Sequence, residues 1–505
     1  MVEEPIAKAR IAVVGAGVMG RGIAQLFAVA GHPVVLHDAQ TGAAEAGRSQ
    51  VLTLLDGLVA KGRLAGDVRA RVGGSLTVAQ SLADMAEADI VMEAIVEDLD
   101  AKRALIAELE AVIGEDAIIA SNTSSLLIAE IAGRSARPDR IAGLHFFNPV
   151  PLMKVVEVIG AVRTSPEVLS ILTAVVGGAG HRPVVADDQP GFLVNHAGRG
   201  LYTEGLAILE DRIATHAEID LVLKEAAGFR MGPFELFDLT GIDVSGRVLQ
   251  AIFEQFQYEP RFRPSSLVPP RIAAGLYGRK SGKGWYDYPA PDHVAPIEPL
   301  IDATGTRVWI EPTAEHYIEL ASAVMEAGAL IAPDPSDPDV LILIQPWGRE
   351  IASECADQGL DPERTVAVDP LPSPDRRRTL MTTLVTRPEV AARALALLGS
   401  GSTPATMIAD SPGFIVQRVL AVIVNIAAHI AQRGIASVAD IDDAVRLGLG
   451  YPKGPLTWGD EIGAGRIVEI LNAIHATTGD PRYRVSPWLR QRAALGLSLR
   501  QEAST

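Results

Sequence analysis

Residues 145–158, HFFNPVPLMKVVEV, carry the side chains best suited to moving a proton. His145 closes an apolar run that begins at Ile141, an Asn148-Pro149 corner follows, and Glu157 then sits inside an otherwise apolar strand. A buried carboxylate is costly unless something pairs with it. A histidine beside one becomes a proton acceptor tuned near neutral pH. An ordinary buried ion pair is the competing reading. Chemistry is favoured by what opens the chain: GAGVMG, residues 15–20, follows an apolar run and leads into a helix. Glycines there permit a tight turn and close approach of a pyrophosphate to a helix N-terminus. Asp38 ends the next apolar run, where it would bind the ribose hydroxyls of NAD and repel the extra phosphate of NADP. A base together with a nicotinamide points to alcohol oxidation.

The elements that must position these groups are legible as short apolar runs alternating with helical stretches, the pattern of a parallel sheet. Strands are predicted at 11–14, 33–37, 89–94, 117–120 and 141–146. Each is followed by a polar or glycine-rich feature: GAGVMG, Asp38, Glu97, the run Ser121-Asn122-Thr123-Ser124-Ser125, and His145. Ligands of doubly wound sheets bind beyond the carboxyl ends of the strands, so five such features on one edge reinforce one another. The hydroxyl run also reads as a turn or helix cap. Asn148 also reads as a turn former. Asn195, on the first turns of the helix after Pro190-Gly191, reads equally as a cap or an interhelical hydrogen bond. Lys61 and Lys280 are by default solvated charges, of interest because an anionic ligand needs a positive partner on so acidic a chain.

At 505 residues the chain has room for three or four domains. A net charge of −17 argues against a nucleic-acid or anionic-membrane partner. Cys355 is the only cysteine, which excludes an intrachain disulfide or a thiolate cluster. The histidines show no metal-ligand spacing, so no metal site is assigned. The N-terminal residues lack the apolar core of a signal peptide. The apolar run 419–431 is interrupted by Asn425 and His429 and is too short to span a bilayer. A soluble, cytoplasmic protein is expected, with homo-oligomerisation left open.

From about Asp188 long helices dominate, ending in GRKSGKGWYDY at 278–288; a proline-rich linker, 289–299, and a less regular α/β region follow. The helical unit then recurs. Pro190-Gly191-Phe192 returns as Pro412-Gly413-Phe414, a shift of 222, and Gly232-Pro233 returns as Gly454-Pro455 in the same register. Two such units could pack face to face like an internal dimer.

These motifs resemble the L-3-hydroxyacyl-CoA dehydrogenase family: GAGVMG, EAIVEDLDAK at 93–102, SNTSSL, HFFNPVPLMKVVEV, DQPGFLVN at 188–195, MGPFELFDLTG and GRKSGKGWYDY. The likeness spans about 11–288 with high specificity and the later repeat with less. It implies an α/β fold, a Rossmann-type doubly wound sheet followed by all-α domains with a duplicated helical unit. The implied domains are an NAD-binding domain at 1–187, a helical domain at 188–290, a linker and degenerate α/β region at 291–405, and a non-catalytic helical copy at 406–505. It further implies NAD as cofactor, held by Gly15, Gly17, Val18, Met19, Gly20, Asp38, Glu97, Lys102, Ser124, Asn148 and Lys280. His145 would be the general base, Glu157 its orienting partner, with Ser124 and Asn195 on the reacting oxygen and Lys61 on the CoA moiety of a small acyl-CoA substrate. The longer architecture resembles the bacterial branch associated with phenylacetate breakdown, which implies 3-hydroxyadipyl-CoA or a short-chain 3-hydroxyacyl-CoA. Departures are Leu54, where some relatives place a CoA-contacting serine, and His196, where the family usually has arginine. An NAD-binding protein without turnover and a dehydrogenase of a free 3-hydroxy acid are the alternatives. Under a fixed shift of 222, Asn195 falls on Gln417, Glu157 on Thr379, and His145 on Ala367, or on Val366 with a one-residue gap. One active site per chain is therefore expected.

Overall fold

The computed structural model describes residues 8–288, 301–399 and 403–501, so the linker read at 289–299 lies outside them. The chain forms two compact units; the first contains residues up to His196 together with Arg433–Leu449, and the second the remainder.

The first unit is built on β1 (Ile11–Val14), β2 (Val34–His37), β3 (Leu76–Val78), β4 (Ile90–Glu93), β5 (Ile118–Ser121), β6 (Ile141–Phe146), β7 (Val155–Gly160) and β8 (Arg182–Asp187). Their order across the sheet is β3-β2-β1-β4-β5-β6-β7-β8. All neighbours are parallel except β6 and β7, which run antiparallel. β1 is apolar throughout, and β4 and β5 are apolar up to their last residues, Glu93 and Ser121, because helices cover both faces. Ile11 and Val13 join Phe27 and Leu172 on one side; Ala12 and Val14 join Ile106 and Ile131 on the other. β3 and β8 have no counterpart in the sequence reading. β8 carries Pro183 and closes the sheet at its edge, the position where a strand tolerates proline.

The second unit contains another sheet: β9 (Arg307–Ile310), β10 (Leu330–Ile331), β11 (Val340–Ile344), β12 (Thr365–Val368), β13 (Arg378–Thr382) and β14 (Ala405–Ala409), ordered β10-β9-β11-β12-β13-β14. From β11 to β14 the pairings run parallel, antiparallel, parallel, as they do from β5 to β8. Local detail repeats too. Asp188 accepts the N–H groups of Ile128 and Ala129, and Asp410 accepts those of Ile351 and Ala352. The duplication therefore extends beyond the helices into half of the nucleotide-binding sheet.

Within this unit the two helical copies meet through reciprocal contacts. Arg263 pairs with Asp480 and Arg484 with Glu259 at 2.7 Å, the two pairs being related by a shift of 221 (259 to 480, 263 to 484). Arg261 donates to the Arg484 carbonyl at 3.0 Å, and Arg482 to the Arg263 carbonyl at 3.1 Å. Such isologous pairing is the mark of a two-fold contact, here between parts of one chain. Helix Ile415–Gln432 extends the run read at 419–431 to 18 residues, long enough by length and composition to cross a membrane. Its burial, 83%, is within protein: it packs along helix Arg199–Glu210, where a Cβ on Gly200 would lie 2.9 Å from Ile423.

Candidate active site

The glycine loop leaves β1 at Gly15, whose φ of +104° suits glycine and whose missing Cβ would lie 2.4 Å from the Ala94 carbonyl oxygen. A Cβ on Gly20 would come within 1.7 Å of the Gly15 carbonyl oxygen, so these two glycines close the turn on itself. Gly17 differs: a Cβ there would meet nothing within 4 Å. It is the N-cap of helix Val18–Ala30 and supplies no side-chain cap, leaving first-turn N–H groups for a ligand. Val18 beside it and Val96 after the neighbouring β4 are 59% and 68% exposed, apolar surface that a ligand would cover. Asp38 anchors the loop by accepting the Ala16 N–H at 2.7 Å. The residues of this cradle fit a dinucleotide: the helix start would hold a pyrophosphate, and Asp38 would be the acceptor for a ribose hydroxyl.

His145 and Glu157 lie opposite one another on antiparallel strands, with His145 Nδ1 2.5 Å from Glu157 Oε2. Glu157 is wholly buried, and its other oxygen accepts the N–H groups of Leu193 at 2.8 Å and Val194 at 2.7 Å. The sharp corner at Pro190-Gly191-Phe192 aims both donors; Gly191 has φ +72° and Phe192 +50°. A non-glycine residue in that region carries a cost of about 1–3 kcal/mol, which its surroundings must outweigh. Phe192 does so by burying its ring, 5.8 Å from that of His145, with Phe147 at 4.5 Å. An imidazole that donates Nδ1–H to a carboxylate has its lone pair on Nε2, the arrangement a proton acceptor requires.

The hydroxyl run is organised by Glu97, whose Oε1 accepts the Thr123 hydroxyl at 2.7 Å and the backbone N–H groups of Ser124 and Ser125. Burial pushes the Glu97 carboxyl up, but Thr123, Lys102 and the serine donors together hold it below the usual range. Asn122 Oδ1 accepts the Phe146 N–H at 2.9 Å, tying this run to the end of β6 beside His145. Asn195 stands one residue beyond the Val194 donor. Ser124, His145, Glu157 and Asn195 are thus joined through short links in one unit, while exposed Asn148 sits on the corner after β6.

The lysines divide. Lys102 is buried and engaged by Glu93 at 2.7 Å and Glu97 at 3.4 Å, so its charge is taken up by those carboxylates. Lys61 is exposed at the C-cap of helix Ala43–Ala60. Lys280 belongs to the second unit, where its Nζ lies 2.5 Å from Asp243. Glu93 was missed by sequence reasoning, although a glutamate ending the run IVME was a signal. It accepts the Ser121 hydroxyl and the Ile95 N–H as well as Lys102.

The repeat of this site in the second unit corrects one expectation. His145 does not correspond to Ala367 or Val366. The Asp369 N–H donates to the Thr379 carbonyl at 2.9 Å, directly after the Val368–Leu380 pair, so Asp369 occupies the place of His145 opposite Thr379. From 145 to 157 is 12 residues and from 369 to 379 is 10, so the connecting loop is two residues shorter and a fixed shift failed there. Asp369 Oδ1 accepts Gln417 Nε2 at 2.9 Å and the Leu371 N–H at 3.0 Å; Oδ2 has no partner among the described residues. Burial pushes its carboxyl up to about 7. Because the folded value lies above the unfolded one, the folded state holds the extra proton, and this stabilisation is lost as pH rises through about 7. Urea unfolding of wild type and Asp369→Asn should show the variant gaining on wild type from pH 5 to pH 8, by on the order of 3 kcal/mol at most. Parallel curves would remove Asp369 as a buried titrating group.

A glycine cradle at a sheet edge with a carboxylate-oriented histidine beside it defines the class, a nicotinamide-dependent dehydrogenase. Residues 10–189 match the 3-hydroxyacyl-CoA dehydrogenase NAD binding domain, and 191–288 and 413–504 match the C-terminal domain of the same enzymes. Similar proteins include the 3-hydroxyadipyl-CoA dehydrogenase of Escherichia coli K12, 35% identical over 96% of this chain and 97% of its own length. Human mitochondrial hydroxyacyl-coenzyme A dehydrogenase is 38% identical over 55% of this chain and 90% of its own. The crystal structure of an Escherichia coli K12 3-hydroxybutyryl-CoA dehydrogenase superposes with a TM-score of 0.86 at 34% identity, covering 97% of this chain and 99% of that one. The chain belongs to the 3-hydroxyacyl-CoA dehydrogenase family. It is an NAD-dependent oxidoreductase acting on an acyl-CoA.

Proposed function

We propose that His145 Nε2 takes the proton of the substrate 3-hydroxyl while Glu157 fixes the tautomer and balances the charge of the resulting imidazolium. The observation that carries this is the 2.5 Å contact between His145 Nδ1 and Glu157 Oε2; a proton on Nδ1 leaves the opposite ring nitrogen as acceptor. Bound NAD supplies the hydride acceptor for C3. Ser124 and Asn195 hold the reacting oxygen, Lys61 contacts the CoA moiety, and Glu97, Lys102, Asn148 and Lys280 serve the cofactor directly or through neighbours. Burial of His145 and Glu157 among Phe147, Phe192 and β7 keeps bulk water from competing for the proton.

We further infer that the acyl group is the ω-carboxylated six-carbon chain of 3-hydroxyadipyl-CoA, in a catabolic route of the phenylacetate type. Support comes from likeness along nearly the whole length to the Escherichia coli 3-hydroxyadipyl-CoA dehydrogenase, second helical copy included. The net charge of −17 supports small-molecule partners, without nucleic acid or an anionic membrane, and likeness to the bacterial dehydrogenase supports a cytoplasmic location. NADH formation should be compared with 3-hydroxyadipyl-CoA and 3-hydroxybutyryl-CoA. A kcat/KM ratio of about tenfold or more towards the adipyl thioester is expected, the discrimination a site that pairs with the ω-carboxylate would give over a chain lacking it. A preference for the butyryl thioester would overturn the assignment of the acyl group and leave the reaction class intact.

A further inference from the structure

The strand that carries Glu157 is packed by a helix that belongs, by sequence, to the second copy. Helix Val438–Gly448 matches helix His216–Glu225 of the first copy, yet it is part of the catalytic unit, packed against β7 and β8. Polar contacts hold it there. Arg182 pairs with Asp440 at 2.7 Å and Asp443 at 2.9 Å, and the Asp187 N–H donates to the Ile435 carbonyl at 2.9 Å. Its last residue, Gly448, faces Val194 and Val155. A Cβ on Gly448 would lie 3.0 and 3.1 Å from the two Val194 methyls and 3.3 Å from Val155 Cγ1. Val194 donates one of the two N–H groups on Glu157, and Val155 opens the strand that carries Glu157. Both valines are completely buried and their χ1 is restricted, so neither can swing aside.

We propose that Gly448 is a positioning residue for the His145–Glu157 dyad: without a side chain, it lets the non-catalytic repeat brace the backbone donors that orient Glu157. The inference rests on the reading of His145 and Glu157 as a catalytic dyad. Any side chain at 448 displaces Val194 by tenths of an ångström and loosens its N–H from Glu157 Oε1. A carboxylate with weaker donors holds the imidazolium proton more firmly, and only the neutral imidazole can act as base.

Gly448→Ala and Gly448→Val should be measured in the full chain for kcat, KM for NAD, the pH profile and Tm, with His145→Gln alongside. Misplacement of a catalytic group by 1 Å costs on the order of 100-fold, so we expect kcat to fall about threefold for alanine and about tenfold or more for valine. KM for NAD stays within about twofold, and the acid limb of the profile moves to higher pH by about half a unit. An unmoved acid limb, or a loss of activity that only follows a loss of folded protein, overturns the proposal. The alanine variant decides it should the valine variant not fold. Turnover retained in His145→Gln sinks the dyad reading and the proposal with it. An inactive His145→Gln with an unmoved acid limb in both Gly448 variants sinks the positioning role alone.

Discussion

His145→Gln lowers turnover by about 10⁴-fold while NADH still binds, because the substitution removes the proton acceptor and nothing of the cofactor cradle. Glutamine preserves much of the ring's bulk between Phe147 and Phe192 and can still donate to Glu157, so the strand pair β6–β7 has no reason to come apart. What it lacks is a basic atom where Nε2 stood. The Glu157→Gln variant tests the other half of the dyad. One amide oxygen can still accept from Leu193 and Val194, which turns the amide nitrogen towards His145 Nδ1. The imidazole must then accept at Nδ1 and carry its proton on Nε2, the wrong tautomer for a base. A loss of about 10²- to 10⁴-fold in kcat is expected, with a changed acid limb in the pH profile and little change in KM for NAD. Pre-steady-state NADH formation and fluorescence titration with NADH separate these quantities. Near-normal turnover in His145→Gln would take the histidine out of the mechanism, and an unchanged profile in Glu157→Gln would leave a structural ion pair.

The second large effect concerns stability. Arg418, on the central helix Ile415–Gln432, is buried beside Glu204 at 2.7 Å and also donates to the hydroxyls of Ser411 and Tyr483. Burial pulls its guanidinium down, but Glu204 outweighs that and holds it above its ordinary range. Arg418→Met leaves a wholly buried carboxylate without its cation and should cost about 3–5 kcal/mol. The double variant Arg418→Met/Glu204→Leu removes both charges and should return to within about 1–2 kcal/mol of wild type, or exceed it. Chemical unfolding of wild type, both single variants (Arg418→Met and Glu204→Leu) and the double variant gives the coupling energy directly; a double variant as damaged as Arg418→Met would show that packing, and not charge, sets the loss. The repeat contains the same experiment. At the shift of 222, Arg418 corresponds to His196 and Glu204 to Ile426, so one half of a symmetric pair has lost both members together. The departure at His196 is thus matched by Ile426 in place of the acid.

Where local pattern decides structure, the chain could be read directly. The glycine turn, the apolar strands of the first sheet and the ends that carry Asp38, Glu97 and His145 follow from alternation and from residues that only a strand-to-helix turn requires. Helix starts repeat for local reasons as well: Thr215 and Ser437 cap equivalent helices through their side chains, and Pro233 and Pro455 take the first turn. β8 escaped because its proline-bearing sequence reads as non-strand until the sheet edge is known. Asp369 escaped because the loop between the two strands is two residues shorter in the repeat, so a shift of 222 does not hold before it.

His145, Glu157, the glycine cradle and the repeat were determined by sequence, since each rests on residue type at short spacing. The tertiary structure decided what those residues touch. It turned Lys102 inward onto Glu93 and Glu97, directed the Leu193 and Val194 N–H groups at Glu157, and placed Gly448 against Val194 across some 250 residues of chain (194 to 448). Periodicity reports only which face of an element is apolar. The partner that covers that face is chosen by packing among distant elements, and here a helix of the second copy packs against the strand that carries Glu157.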